Sequence, residues 1–473
     1  MDDFFEFTEE DETLNYLTDR FEAMVKEGSR YFFDIEEYED LIDHYLITGN
    51  LKLCGLAIGH SMEQYPGHTG FQIRQAQLLV SSNKAEKALR VLSKVEDIDP
   101  TNSEIYITKG AIYSQLKRYD DAIREYNKAI REDEVDLANI YSNIAFEYEN
   151  LGSYDKAIEY LKKVLELEPE NESIVFELSF CFEISGLHDD AIAYFTAFTD
   201  RIPYSKFAWF NLGVAYNNVE LYEKAIQSFE FAIAIDPGFS SAYFNKANSL
   251  ATMGLYRQAI DSYMDTFDYE EPEAFTYYSI ADCYEKLNNY TNAITYFRKA
   301  LDMDDSIAEA WVGMGVCYES IGNLMDAIRY IRRGLDLDPD NSDYLLTLAS
   351  SQQNAGYFSE AAISYTRAAD INPSDPLLWT DFASLFAGMD EYDHALEIIE
   401  TGLTHQPDNS VLYYHKAAFL YNLGRRKQGM AALEAGFIYG SDGLADIFIL
   451  VPNISEDKEI LATIDRQFPD LIF

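Results

Sequence analysis

The sequence predicts an all-α fold built from a series of similar helical hairpins, and three observations support this prediction. The first is a period: alanine recurs every 34 residues, with one step of 35 residues, at Ala122, Ala157, Ala191, Ala225, Ala259, Ala293, Ala327, Ala361 and Ala395. The same position holds Ala88, Cys54 and Gly429 in the outer copies, which makes twelve copies. A period of this length is typical of proteins that stack helix–turn–helix units.

The second observation is the phase of proline. Eight of the twelve prolines follow the alanine position by twelve residues, at Pro66, Pro100, Pro169, Pro203, Pro237, Pro339, Pro373 and Pro407. Proline has no backbone N–H and restricts the residue before it, so each is predicted to end the second helix of its copy.

The third observation concerns the first helix of each copy. A large aromatic residue precedes the alanine position by sixteen residues, at Tyr106, Tyr141, Trp209, Tyr243, Tyr277, Trp311, Trp379 and Tyr413. A small residue such as Gly213 follows four residues later. We expect the small residue to let the two helices approach closely and the aromatic ring to fill the space beside it.

One copy contains the combination Trp209, Leu212, Gly213, Tyr216, Ala225, Phe229, Ala232 and Pro237. In these residues the chain resembles the tetratricopeptide repeat family, and more closely the long acidic members found in bacteria. The resemblance implies a right-handed superhelical solenoid with twelve repeats over residues 35–443. Residues 1–34 are then an acidic segment with a capping helix, and residues 444–473 a C-terminal capping segment. Such an array needs no internal domain boundary.

The two ends show helical signals of their own. Residues 13–27 have helical periodicity, and Ser455 is predicted to cap a helix from about residue 456 to 468. At the N-terminus, Phe4, Phe5 and Phe7 lie among acidic residues. They belong either to a mobile tail or to a segment that folds back into the binding groove.

The formal net charge of −46 restricts the partners. Such a field repels nucleic acid and anionic membranes and favours a basic protein segment. The alternative is that the charge serves only solubility. Because no stretch reaches the ~18 apolar residues of a membrane span and no signal peptide is evident, we expect a cytoplasmic protein.

No known catalytic, nucleotide-binding or metal-binding motif occurs in the sequence. We therefore predict that the protein is not an enzyme and has no cofactor or metal site. The four cysteines, Cys54, Cys181, Cys283 and Cys317, occupy repeat positions where small core residues are expected. They are predicted to be buried structural thiols.

The resemblance implies that the first helices line a concave groove. The aromatic residues at the inward positions are Phe146, Phe176, Phe180, Phe210, Phe244 and Tyr278, with Phe207 and Phe275 one turn away. A row of apolar side chains on such a surface is a candidate binding site. The alternative is that these rings only pack against the neighbouring repeat.

Polar residues accompany this row. In resembling proteins, asparagines at one repeat position bind a peptide backbone; here they are Asn143, Asn211 and Asn245, and Glu177 interrupts the series. The acidic residues one turn along are Glu149, Glu183, Asp282, Glu285 and Glu319. Together these side chains favour a peptide with apolar anchors flanked by lysine or arginine.

The predicted function is therefore that of a non-enzymatic interaction scaffold that holds a protein segment in the groove. The alternative is a holdase-type chaperone or assembly factor for basic clients. A clamp for the acidic C-terminal tails of chaperones is not expected. Such a clamp needs lysine, arginine and asparagine on adjacent first helices, but no copy has lysine at the second or fifth position, and Arg74 is the one arginine at the sixth.

Overall fold

A computed structural model describes residues 9–131 and 135–468, and every regular element in these ranges is a helix. This confirms the predicted all-α class. The proposed groove-blocking residues Phe4, Phe5 and Phe7, and residues 132–134 at the 35-residue step, lie outside the described ranges. Within those ranges, no helix combines the length and the apolar character needed to cross a membrane.

The contacts divide the chain into two compact units, Met1–Pro237 and Gly238–Phe473, each of which contains six hairpins. We call them unit 1 and unit 2. The helices of unit 1 are α1 (Glu9–Glu27), α2 (Ile35–Ile47), α3 (Leu51–Gln64), α4 (Thr69–Ser81), α5 (Ala85–Ile98), α6 (Ser103–Gln115), α7 (Tyr119–Ala129), α8 (Leu137–Asn150), α9 (Tyr154–Leu167), α10 (Glu172–Ile184), α11 (His188–Arg201), α12 (Lys206–Asn218) and α13 (Tyr222–Ile235).

Unit 2 continues the same alternation of first and second helices. Its helices are α14 (Ser240–Thr252), α15 (Tyr256–Asp265), α16 (Ala274–Lys286), α17 (Tyr290–Met303), α18 (Ala308–Ser320), α19 (Leu324–Leu337), α20 (Ser342–Asn354), α21 (Phe358–Ile371), α22 (Pro376–Ala387), α23 (Tyr392–His405), α24 (Ser410–Asn422), α25 (Arg426–Tyr439), α26 (Asp446–Leu450) and α27 (Lys458–Gln467). Short 3₁₀ turns span Thr266–Asp268 and Pro452–Glu456. The hairpins run from α2–α3 to α24–α25, which confirms twelve copies.

The alanine position forms the contact between the two helices of a hairpin. Ala225 and Ala293 have no exposed surface. At the small position of the first helix, a Cβ on Gly213 would lie 2.6 Å from Cε1 of Phe229. The ring that fills this space therefore comes from the second helix and not, as expected, from the aromatic residue of the first helix.

The first-helix aromatic has a different role, which Trp209 illustrates. Its indole Nε1 donates a hydrogen bond to the carbonyl oxygen of Pro203 at 2.9 Å, and its ring stacks on Phe231 with centroids 4.4 Å apart. Trp311 and Trp379 make the same bond to the carbonyl six residues before them. The ring thus ties the turn between hairpins to the first helix that follows it.

Both ends of the array are capped by helices. Helix α1 begins at Glu9, earlier than the predicted residue 13, and buries Phe21 against the first hairpin. At the other end, Asp457 caps α27 by accepting hydrogen bonds from the backbone of the first turn. The predicted cap, Ser455, lies instead in the preceding 3₁₀ turn. Ile460 and Ile464 are buried against the last hairpin.

The four cysteines are buried and form no disulfide, as predicted for core thiols. Burial raises the pKa of Cys54 to about 11 and the pKa values of Cys283 and Cys317 to about 12. At neutral pH these side chains are therefore uncharged thiols and poor nucleophiles.

Candidate functional site

In unit 1, three phenylalanines are exposed on the first helices α8 and α10. Phe146 and Phe180 are each 51% exposed and Phe176 is 40% exposed. Their chain neighbours Ala145 and Cys181 have no exposed surface. Because successive side chains turn by about 100° around a helix, the buried neighbours direct these rings away from the core. We call Phe146, Phe176 and Phe180 the phenylalanine patch.

Helix α12 continues this surface only in part. The Phe176 ring lies 5.3 Å from that of Phe207, which is half-buried, and 5.9 Å from that of Phe210. Phe210 is only 8% exposed and packs on Phe229, with centroids 5.7 Å apart. For Phe210, the packing interpretation is therefore the better one.

Two glutamates from adjacent first helices meet beside the patch. Glu177 on α10 forms a side-chain hydrogen bond with Glu149 on α8, and the Cys181 thiol donates to Glu149 Oε1 at 3.2 Å. Burial, followed by the charge of Glu149, raises the pKa of Glu177 to about 7. We call Glu149 and Glu177 the carboxyl pair. Near neutral pH this pair holds one proton for part of the time.

The three asparagines use their amides within their own helices. Asn143 Nδ2 donates to Asn139 Oδ1 at 2.6 Å. Asn211 and Asn245 each donate to the backbone carbonyl four residues earlier, at 2.9 Å. Asn211 is also only 2% exposed. The expectation that Asn211 faces a bound peptide is therefore wrong, because its amide is buried inside unit 1.

In unit 2, a second set of aromatic residues lies on α14 and α16. Phe275 is 54% exposed, and its ring lies 6.2 Å from that of Phe244 and 5.5 Å from that of Tyr278. Phe244 and Tyr278 are half-buried, and Phe244 packs on Tyr263. We call Phe244, Phe275 and Tyr278 the unit 2 aromatic patch; it offers one largely exposed ring where unit 1 offers three.

The acidic residues of unit 2 have partners within the unit. Asp282 and Glu285 each lie 3.9 Å from the ammonium of Lys286. Burial raises the pKa of both carboxyls, and the Lys286 charge opposes that rise. Glu319 accepts hydrogen bonds from Ser351 and from Asn354, the latter at 2.7 Å. These carboxylates thus already form ion pairs or hydrogen bonds within unit 2.

One contact recurs between neighbouring hairpins and was missed from the sequence. Glu149 accepts from Cys181, and Glu319 accepts from Ser351; in each pair the donor follows the glutamate by 32 residues. The glutamate and its donor therefore occupy the same two repeat positions in both units. The repeat register would have revealed this contact, because residues 32 apart, two short of one period, lie on adjacent first helices at nearly the same height.

The remaining charged groups of the described residues bear on metal binding and on the predicted role of Arg74. In the ranges that the structure covers, no group of three or more His, Cys, Asp and Glu side chains could hold a metal ion. Arg74, the arginine at the sixth first-helix position, forms ion pairs with Asp43 at 3.0 Å and Glu104 at 2.7 Å. Arg74 therefore serves ion pairs within unit 1 and is not free to bind the tail of a partner.

Comparison with curated proteins finds similarity to chaperone-organizing proteins of plants. The Hsp70-Hsp90 organizing protein of Triticum aestivum is 29% identical over 167 residues, covering 32% of this chain and 28% of that protein. The Hsp70-Hsp90 organizing protein 3 of Arabidopsis thaliana is 31% identical over 167 residues, covering 32% and 30%. The chain thus spans less than a third of the length of these curated relatives.

Similar solved structures include YrrB, described as a TPR protein with an unusual peptide-binding site. It is 20% identical, with a TM-score of 0.34, covering 39% of this chain and 95% of YrrB. The Cut9-Hcn1 hetero-tetramer of the APC/C provides a chain that is 14% identical, with a TM-score of 0.41, covering 85% of this chain and 99% of that one.

Family models described as tetratricopeptide repeat match residues 79–143, 138–171 and 207–239. A further model with the same description matches residues 244–308, 278–342 and 318–376. These ranges fall on the helical hairpins described above. Because together they cover more than half of the chain, the protein belongs to the tetratricopeptide repeat family.

Proposed function

We propose that this protein is a non-enzymatic scaffold that binds a protein segment on the first-helix surface of unit 1. The observation that carries the proposal is the phenylalanine patch, whose three rings remain 40–51% exposed although the neighbouring residues are buried. Exposed aromatic rings grouped on one surface are typical anchors for a partner, since covering them removes apolar area from water.

The charges around the patch specify the partner further. The carboxyl pair and the exposed Glu183 lie on the same helices as the patch, in a chain with a net charge of −46. A segment with apolar anchors and lysine or arginine flanks complements both features. Nucleic acid and anionic lipid are disfavoured by the same field.

An acidic C-terminal tail fits this surface poorly. The one arginine at the position such a tail requires, Arg74, is already bound to Asp43 and Glu104. The names of the curated relatives describe proteins that organise two chaperones, which supports a scaffold role in general. For this chain we propose a basic segment instead of an acidic tail.

Site-specific photo-crosslinking tests the proposal. A photoreactive phenylalanine analogue is placed at Phe180 and, as a matched control, at Tyr204, which is 84% exposed and lies in the turn before α12. The scaffold function predicts a stoichiometric adduct with one folded protein from position 180 and none from position 204. Equal adducts from both positions would contradict it.

The same experiment separates the scaffold from a holdase or assembly factor. A holdase would give adducts with many clients at position 180, and the purified protein would suppress the aggregation of several unfolded basic proteins. A scaffold would give one partner and leave such aggregation unchanged. Mass spectrometry of the adducts and light scattering of heated client proteins distinguish the two functions.

A further inference from the structure

The carboxyl pair and the phenylalanine patch place acidic and apolar side chains on the same two helices. Phe176 and Phe180 lie on either side of Glu177 along α10, and Phe146 lies three residues before Glu149 on α8. Exposed apolar rings therefore lie on the same two helices as two carboxyl groups that interact with each other. Apolar surroundings weaken the hydration of both carboxyls and strengthen their interaction with any cation that reaches them.

Glu177 holds a proton near neutral pH because it is partly buried beside the charge of Glu149. Glu149 itself accepts a hydrogen bond from the Cys181 thiol at 3.2 Å, which keeps its carboxylate against α10. Burial and the charge of Glu149 raise the pKa of Glu177 to about 7. A lysine or arginine placed against the pair would favour ionisation of Glu177, because an opposite charge within ~4–6 Å stabilises the carboxylate.

Helices α9, α11 and α12 pack against α10, and α8 reaches it through the contact of Glu149 with Cys181. The titratable groups of these helices near α10 are few. Tyr154 on α9 lies with its ring 6.5 Å from that of Phe180. Lys206 on α12 pairs with Asp236 at 2.7 Å, and Asp190 on α11 acts on Lys162 of α9. Within the described residues, Glu149 is the one charged group that acts on the Glu177 carboxyl. The chain thus supplies no cation of its own to this pair in that part of the structure.

We infer that a lysine or arginine of the bound segment is seated on Glu149 and Glu177, flanked by apolar anchors on the phenylalanine patch, and that seating it releases the shared proton to solvent. This inference rests on the proposed function, since it specifies the partner at the same surface. Binding then tightens as pH rises. For a group that titrates near pH 7, proton linkage makes the affinity about tenfold higher at pH 8 than at pH 6.

The test uses the full-length protein and a displayed library of random short peptides as the probe. Selection at pH 8 should enrich peptides that combine aromatic or aliphatic residues with lysine or arginine. One enriched peptide is synthesised and titrated calorimetrically at pH 6 and pH 8, in two buffers of different ionisation enthalpy. The wild type should bind about tenfold more tightly at pH 8, and it should release close to one proton per peptide at pH 6 but few protons at pH 8.

Two matched variants identify the source of the proton. Glu177→Gln keeps the shape of the side chain but has no titrating group, so its affinity should be nearly equal at the two pH values. Glu183→Gln removes an exposed carboxylate from the same helix and should retain the tenfold difference.

The outcomes separate this inference from the proposed function. Enriched peptides without basic residues, or an affinity independent of pH, would overturn the inference while the scaffold proposal stands. If the wild type enriches peptides no more than the double variant Phe176→Ala/Phe180→Ala does, both the inference and the scaffold proposal are overturned, because the patch then anchors no peptide.

Discussion

The first-helix surfaces of unit 1 and unit 2 carry glutamate at the same repeat position, but the contacts of these glutamates differ. In unit 1, Glu149 meets a second carboxyl, that of Glu177. In unit 2, the equivalent Glu285 lies beside Lys286, and the residue that corresponds to Glu177 in the next hairpin is Gly313. A Cβ on Gly313 would lie 2.5 Å from Cζ of Phe297, so no longer side chain fits there without a shift.

The difference shows that a repeat position specifies where a side chain lies. It does not specify whether that side chain is free to contact a partner or already bound within the chain. One glutamate–thiol contact is present at Glu149, and a glutamate–hydroxyl contact replaces it at Glu319. What distinguishes unit 1 is the additional carboxyl and the three exposed rings on the same helices. The following predictions test this contrast, beginning with the largest expected effect.

Truncation of Phe210 should destabilise unit 1, whereas truncation of Phe180 should not. Phe210 is 8% exposed and packs on Phe229, so Phe210→Ala should lower the free energy of unfolding by about 3–5 kcal/mol. Phe180 is 51% exposed, so Phe180→Ala should lower the free energy of unfolding by less than about 1 kcal/mol. The same variant should weaken peptide binding by more than about 1 kcal/mol. Denaturant unfolding and calorimetric binding measure both effects. Equal stability losses would mean that the patch is core packing.

Overpacking of the alanine position should affect the two units alike. Ala225→Leu in unit 1 and Ala293→Leu in unit 2 should each cost about 1–3 kcal/mol, since both side chains are fully buried between paired helices. Ala234→Leu, at an exposed position of α13, is the control and should change stability little. Thermal unfolding measures all three variants. Unequal costs at positions 225 and 293 would show that the units differ in their cores as well as on their surfaces.

The carboxyl pair should make stability depend on pH. Because the folded state raises the pKa of Glu177 to about 7, the folded protein binds more protons between about pH 4.5 and 7, and stability falls as pH rises through that range. Glu177→Gln should remove this fall and be more stable than the wild type at pH 8 by about 1 kcal/mol, a value reduced for solvent screening. Glu183→Gln should not show the gain. A wild type and Glu177→Gln that unfold in parallel from pH 5 to pH 8 would argue against a shared proton.

The smallest expected effect concerns salt. Binding of a basic peptide should weaken as ionic strength rises, since the acidic field is screened over about 10 Å at 0.1 M salt. Glu149→Gln/Glu183→Gln should flatten this dependence more than Glu285→Gln/Glu319→Gln, because Glu149 and Glu183 lie on the helices of the phenylalanine patch, whereas Glu285 and Glu319 lie in unit 2. Titrations at three salt concentrations compare the two double variants. If salt has no effect on the wild type, the charge of −46 serves solubility alone.

Much of the surface was predictable from the repeat register, but exposure was not. The period placed Phe146, Phe176, Phe180 and Phe210 on first helices, and the structure places them there. It could not distinguish the first three from Phe210, because the burial of a ring depends on the side chains that pack around it, and Phe210 packs on Phe229 of the second helix. For the same reason Asn211, predicted to face a ligand, is buried.

The sequence by itself determined the all-α class, the twelve hairpins and the burial of the alanine position, because local periodicity and nearest-neighbour packing suffice for a repeat array. Only the tertiary structure decided which charged groups meet. Glu177 lies beside a second carboxyl, which raises its pKa, whereas Arg74 is neutralised by ion pairs. Such pairing depends on distances of a few ångströms between side chains of different hairpins. A repeat period places residues to within a turn of helix, and the interaction energy of two carboxyls changes greatly over that distance.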